Sequence, residues 1–143
     1  MSDTEPQPSV LFVCAHNAGR SQIAAAFFEE LAGDGVTVRS AGPAPGGRVN
    51  PLVVQAMAEV GIDLSERTPR QLTEDTAQSS AVVVTTSGAD AVSVAAGQRH
   101  EDWPVEDVAG KNLDEVRAIR DDIRARVERL AADLRPTPDP AGK

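Results

Sequence analysis

The chain has 143 residues, 41% hydrophobic and 25% charged, a size suited to one domain with one core. Acidic residues outnumber basic ones 22 to 14, giving a formal charge of −8, so most of the surface repels a phosphate backbone and nucleic acid is a poor partner. The single cysteine, Cys14, excludes an intramolecular disulfide and a zinc site built on several thiolates, and aromatics at 3% leave the core to Val, Ala, Leu and Ile.

In chain order, residues 1–8 are acidic and Pro-containing, unlike the basic and then apolar start of a secretory signal. Ser9 to Val13 is a short apolar run, as expected of a parallel strand covered on both faces. Ile23, Ala24, Phe27, Phe28 and Leu31 recur at helical spacing and predict a helix over Ser21 to Leu31, stopped by Gly33 and Gly35. Residues 35–40 predict a second strand. Ala41 to Val49 is a Gly- and Pro-rich loop, and Asn50 and Pro51 form an N-cap and first-turn pair for a helix through about Val60, closed by Gly61.

Leu64 to Ser80 is polar, with one short helical turn, and Ala81 to Thr86 predicts a buried strand. A short fourth strand is expected at His100 to Trp103. Leu113, Val116, Ile119, Ile123, Val127, Leu130 and Leu134 mark a long amphipathic helix from Asn112 to Leu134, whose charges form a solvated face. Three prolines in residues 136–140 cannot continue it, so the domain is expected over 9–135 with flexible tails at 1–8 and 136–143. The alternation of strand and helix is the α/β signature. The longest apolar runs are far shorter than the roughly 20 residues needed to cross a bilayer, so a cytoplasmic monomer without a membrane partner is expected.

Chemistry concentrates at the first strand-to-helix junction, Val13-Cys14-Ala15-His16-Asn17-Ala18-Gly19-Arg20-Ser21. Backbone N–H groups of such a turn and of the helix start converge on a point that favours an anion. Arg20 can fork two donors onto a tetrahedral oxyanion, as a Lys could not. The same field favours the thiolate of Cys14, so nucleophile and anion site coincide. Taken alone, a Cys six residues before an Arg also describes a buried strand-end thiol and a surface charge; the placement between strand and helix, with Gly19 before Arg20 and Ser21 placed to bond the sulfur, favours the chemical reading. The phosphate loops GxxxxGK[ST] and GxGxxG are absent at this strand.

The pattern Val-Cys-x-x-Asn-x-x-Arg-Ser resembles the low-molecular-weight protein tyrosine phosphatase superfamily, specifically its arsenate reductase branch. Ser40-Ala41-Gly42, Asn50-Pro51, Gly61 to Ser65, Arg99 to Trp103 and Ile119 to Asp121 continue the resemblance over almost the whole chain. It implies a single three-layer α/β domain, a four-stranded parallel sheet with helices on both faces. It further implies that Cys14 attacks an arsenate or phosphate oxyanion held by the loop Ala15, His16, Asn17, Ala18, Gly19, Arg20 and Ser21. Asn17, Ser21 and Ser40 would support the loop, and no cofactor would be tightly bound.

Relatives carry an acid in an Asp-Pro pair on a late loop, and Asp107-Val108 stands there in this chain, the missing Pro loosening the loop. Asp102 and Glu106 are rival acids. Ala25 occupies the position of a Glu that binds potassium in some relatives, so no metal site is expected. Relatives that couple to thioredoxin carry two further cysteines, where this chain has Gly88 and Val92. One thiol cannot close a disulfide to release arsenite. The resemblance therefore points to an arsenate–mycothiol transferase, in which an external low-molecular-weight thiol takes the arsenic and a redoxin completes the reduction. A phosphomonoester hydrolase working through a Cys14-phosphate is the alternative, although neither Pro43 to Asn50 nor any Tyr offers a wall for a phenyl ring; a non-catalytic oxyanion-binding relic is the third. His16 is expected to face solvent or an incoming thiol, His100 to be structural, and Trp103 to pack beneath the acid loop.

Overall fold

Val10, Leu11, Phe12 and Val13 alternate between two buried surfaces, and strand β1 (Ser9–Val13) accordingly lies inside the sheet rather than at its edge. The computed structural model describes residues 9–33, 36–86 and 98–134. After β1 come helix α1 (Arg20–Ala32), β2 (Thr37–Ala41), α2 (Pro51–Ala58), the short α3 (Glu74–Gln78), β3 (Val82–Thr85), β4 (Arg99–Asp102) and α4 (Leu113–Leu134). The four strands are parallel in the order β2-β1-β3-β4, with Phe12 paired to Ser40 on one side and Val84 on the other. From β1 the chain moves outward in one direction to β2 and later in the other to β3. The C-terminal end of β1 is thus the point where strand order reverses, the place at which open α/β sheets bind ligands.

Both faces of the sheet are covered, unequally. Val10, Phe12, Val82 and Val84 pack with α1, α2 and α4 into the main core, where the Phe12 ring lies 5.8 Å from those of Phe28 and Trp103. Leu11, Val13, Ala41 and Val83 meet Ala77 of α3 and Leu72 in a smaller second cluster. Helix α1 is buried from Arg20 through Phe28, wider than an amphipathic stripe, because it is pressed between β1, β2 and α4. Leu31 departs from expectation: it is an exposed apolar residue at the end of that helix. Asn50 caps α2 by accepting from the Leu52 amide at 2.8 Å, with Pro51 opening the helix.

The charges of α4 are not all a solvated face. Arg120 is buried, donating from Nη1 to the Ala56 carbonyl at 2.9 Å and to Glu59 at 3.0 Å, while Arg117 donates to the same carboxylate from Nη2 at 2.7 Å. These bonds fasten α4 to the end of α2 through groups the apolar period does not reveal. No helix among the described residues is long and apolar enough to cross a membrane. The proposed tails, Gly88 and Val92 lie outside the described residues.

The hydrogen bond from Arg117, joined by the Arg120 pair, holds Glu59 below its ordinary value of 4.5. A carboxylate lowered in the folded state contributes stability that is present above the unfolded value and lost as pH falls through the folded one. Glu59→Gln is therefore expected to lower stability at about pH 7, with the gap to the native protein narrowing in acid, as at about pH 3, below the ordinary value of 4.5. Urea denaturation at both pH values checks this; a gap that persists undiminished in acid would assign the effect to packing instead.

Candidate active site: an oxyanion cradle around Cys14

Three carbonyl groups of the junction turn away from its centre. The amides of Ala44, Gly46 and Asn50 donate to the carbonyls of Ala15 at 2.9 Å, His16 at 2.9 Å and Ala18 at 2.8 Å. The chain contains no cis peptide among its described residues, and across a trans peptide plane C=O and N–H point in opposite directions. The N–H groups of His16, Asn17 and Gly19 consequently face away from the 44–50 segment. The start of α1, capped by Gly19 with no side-chain bond, turns its Ser21 amide to Cys14 Sγ. Close approach of the two segments requires Gly42: a Cβ there would collide with the Cys14 carbonyl oxygen and stand 2.8 Å from that of Ala15.

Asn17 closes the turn in the left-handed region, with φ of 49°, a conformation Asn adopts more readily than most residues. Its buried side chain donates to Ser21 Oγ at 2.6 Å and accepts from Gln22 Nε2 at 3.1 Å and the Arg70 amide at 2.8 Å. Because Ser21 Oγ already accepts from Asn17, its own hydrogen is free to donate to Cys14 Sγ at 3.0 Å, and the Ser21 amide lies 3.4 Å from the same sulfur. Charge on Sγ then has two partners when Cys14 ionises.

Arg20 is buried and its guanidinium is divided between two tasks. Nη1 donates to the carbonyls of Thr86 at 2.7 Å and Val105 at 3.0 Å, which ties α1 to the end of β3 and to the segment after β4. Nε is buried with no hydrogen-bond partner among the described residues, and Nη2 lies 3.9 Å from Asp107 Oδ2. A buried donor left unmatched is costly in a resting protein but is useful where an anion will arrive.

Among the three candidate acids, Asp107 is the one placed beside Arg20; its other oxygen accepts from the Ala109 amide at 3.2 Å, and its side chain is 49% exposed. Asp102 accepts from Thr85 Oγ1 at 2.6 Å, and Glu106 is exposed. Val108, which replaces the expected Pro, is 3% exposed and lies directly on Gly19, where a Cβ would overlap its Cγ2. The loop is therefore not left loose: an apolar contact holds it against the cradle. His16 is exposed, yet not free, because Nδ1 lies 2.9 Å from the Ala44 carbonyl. His100 Nε2 meets Thr85 Oγ1 at 3.2 Å, and Trp103 is buried, donating to Glu101 at 2.9 Å.

Ser40 does not support the loop by a hydrogen bond. It follows the side of the sheet set by its partner Phe12 and lines a cavity of about 710 Å³ with Gln22, Ala25, Arg39, Arg67 and Arg70. Support comes instead from Gln22, whose Nε2 bonds Asn17 and the Thr68 carbonyl, and from the Arg70 backbone. These roles, with those of Gly42 and Val108, escape a reading of the sequence, since no spacing rule links residue 17 to residue 70. In that cavity Ala25 presents only a methyl group, and Glu29 is ion-paired with Arg67 at 2.5 Å. No cluster of three metal-binding side chains occurs among the described residues.

Residues 9–138 match the family model for low molecular weight phosphotyrosine protein phosphatase. The chain belongs to that family. It is 39% identical over 126 residues to arsenate reductase 1 of Staphylococcus epidermidis, covering 86% of this chain and 95% of that protein. Its fold is similar to that of the thioredoxin-dependent arsenate reductase Cg_ArsC1' of Corynebacterium glutamicum, with a TM-score of 0.80 and 36% identity. That likeness covers 92% of this chain but 63% of the other, so the chain spans less than two thirds of that protein's length. It is also similar to a mutant of the YwlE arginine phosphatase with a phosphorylated active-site serine, with a TM-score of 0.75 and 27% identity over 90% of this chain and 96% of that one.

The contact between Gly19 and Val108 makes a prediction about the acid loop. Gly19→Ala is expected to push Val108 and Asp107 away from the cradle and to slow any step that needs the acid about tenfold. Adding Val108→Ala should recover most of the loss, measured as single-turnover rates with an aryl phosphate. Failure of the double variant to recover would place the damage in the cradle backbone instead.

Proposed function

We propose that the protein is an arsenate reductase of the thiol-transferase kind. The observation that supports this reading is that the chain's one thiol is buried at the strand-to-helix junction beside two Ser21 donors, with the unmatched Arg20 Nε in the same turn and Asp107 3.9 Å from Arg20 Nη2. The relatives' arsenate chemistry supports the substrate, and the single cysteine supports an external thiol, mycothiol or a similar small thiol, as the second sulfur.

In this reading arsenate replaces solvent above Cys14, its equatorial oxygens accepting from the His16, Asn17 and Gly19 amides and from Arg20 Nε. The Cys14 thiolate attacks arsenic, and Asp107 donates a proton to the departing hydroxyl, which leaves as water. The product is a Cys14–arsenate thioester, with arsenic still pentavalent. An external thiol then attacks arsenic, loses its proton and displaces Cys14 as thiolate. Reduction follows away from this chain: a redoxin thiolate attacks the small thiol's sulfur, a disulfide forms, and its electron pair leaves with arsenic as arsenite. A Cys14-phosphate intermediate hydrolysed by water is the second reading, favoured by the likeness to the arginine phosphatase, whose active-site residue carries a phosphoryl group.

The discriminating experiment supplies arsenate, mycothiol or glutathione and a matching redoxin in one arm and an aryl phosphate in the other. Thiol-dependent arsenite production is expected, and Cys14→Ser should abolish it. Phosphate release without arsenite would instead establish the hydrolase. Asp107→Asn is expected to lower the single-turnover rate of thioester formation about 10²-fold. An unchanged rate would remove Asp107 from the reaction.

A further inference from the structure

We propose that His16 is the general base that takes the proton from the incoming thiol. The inference rests on the arsenate–thiol reading above and assigns a residue to its second step. Between Cys14 and Arg20 the loop holds Ala15, His16, Asn17, Ala18 and Gly19, so His16 is the one side chain there able to accept a proton near neutral pH. Its ring is exposed, and Nδ1 lies 2.9 Å from the Ala44 carbonyl.

A carbonyl oxygen only accepts, so this bond requires hydrogen on Nδ1. The neutral imidazole then carries its lone pair on Nε2. The backbone on either side is fastened as well, by Ala44 N to Ala15 O and Gly46 N to His16 O, both at 2.9 Å. Three bonds thus hold a base of defined tautomer on the rim, while the His16 amide faces the bound oxyanion. In the proposed step the incoming thiol approaches arsenic past this exposed ring.

Asp107 is the other group able to accept a proton there, but its carboxylate lies 3.9 Å from Arg20 Nη2. An imidazole with its hydrogen on Nδ1 keeps a lone pair on Nε2, whereas the Asp107 carboxylate is turned toward the Arg20 guanidinium, so the imidazole is the better-placed acceptor. The roles divide accordingly, with Asp107 giving a proton to the departing hydroxyl and His16 taking one from the attacking thiol. In the step itself Nε2 accepts the S–H proton as sulfur bonds arsenic. The arsenic–Cys14 bond breaks, and its electron pair returns to Sγ beside the two Ser21 donors. Arsenic remains pentavalent, and His16 then passes the proton to solvent.

The test uses His16→Asn, whose side-chain amide can still donate to the Ala44 carbonyl but lacks Nε2. Transfer rates at saturating arsenate are measured for native and variant protein with thiols of rising acidity, from 2-mercaptoethanol through trifluoroethanethiol to 5-thio-2-nitrobenzoate. The loss expected in the variant is about 10²-fold for the least acidic thiol and shrinks along the series, because an ionised thiol needs no base. Added imidazole should restore part of the rate with 2-mercaptoethanol. A loss that is uniform across the series, or no loss, overturns the assignment while leaving the transferase reading intact. Native protein that transfers arsenic to none of these thiols overturns that reading, and the base with it.

Discussion

The site depends on the orientation of three peptide planes. Ala15, His16 and Ala18 are anchored through their carbonyls to the 44–50 segment, and planarity then turns the amides of His16, Asn17 and Gly19 to the opposite side. This arrangement needs two backbones closer together than side chains allow, hence Gly42 beneath the Cys14 and Ala15 carbonyls. It also needs one residue in the left-handed region, hence Asn17, pinned by bonds to Ser21, Gln22 and the Arg70 amide. An anion site made of main-chain donors places no charged side chain beneath the nucleophile and keeps its geometry when the anion leaves.

Arg20 links this cradle to the other end of the chemistry. Nη1 fastens the start of α1 to the Thr86 and Val105 carbonyls, and Nη2 lies beside Asp107, so one guanidinium spans the gap between β1 and β3 at which strand order reverses. Val108 seated on Gly19 completes the link with an apolar contact. Asp107 and Val108 lie far along the chain from Gly19 and Arg20, yet two short-range contacts hold them to the start of α1.

Possession of one cysteine shapes what such a site can accomplish. In the proposed reading Cys14 forms and releases a bond to an oxyanion, and with one cysteine in the chain the electrons for a reduction come from sulfur outside it. A site of this kind is open to a second nucleophile. The proposed control of that arrival falls to His16, whose ring is held to the Ala44 carbonyl by its Nδ1.

Local chemistry made much of the molecule legible in the amino-acid sequence. The unbroken apolar runs at Ser9 to Val13 and Ala81 to Thr86, the three-and-four spacing of α4, the Asn50-Pro51 cap and the junction from Cys14 to Ser21 each follow from neighbours within a few residues, and the structure has them in place. Long-range packing decided the rest. Ser40 faces the α1 cavity because its pairing with Phe12 sets its side of the sheet, and Gln22 and Arg70 take up the support of Asn17 because the 68–70 segment returns to the cradle. Arg120 is buried because α4 crosses the end of α2, and Val108 stands in for a missing proline ring because Gly19 lies beneath it. The sequence by itself determined the strand-to-helix junction with its thiol and its arginine, and the lack of a second thiol, since these are properties of residue type and adjacent spacing. Only the tertiary structure decided which acid stands beside Arg20 and that the His16 ring is held to the Ala44 carbonyl, because both depend on atoms brought together from distant parts of the chain.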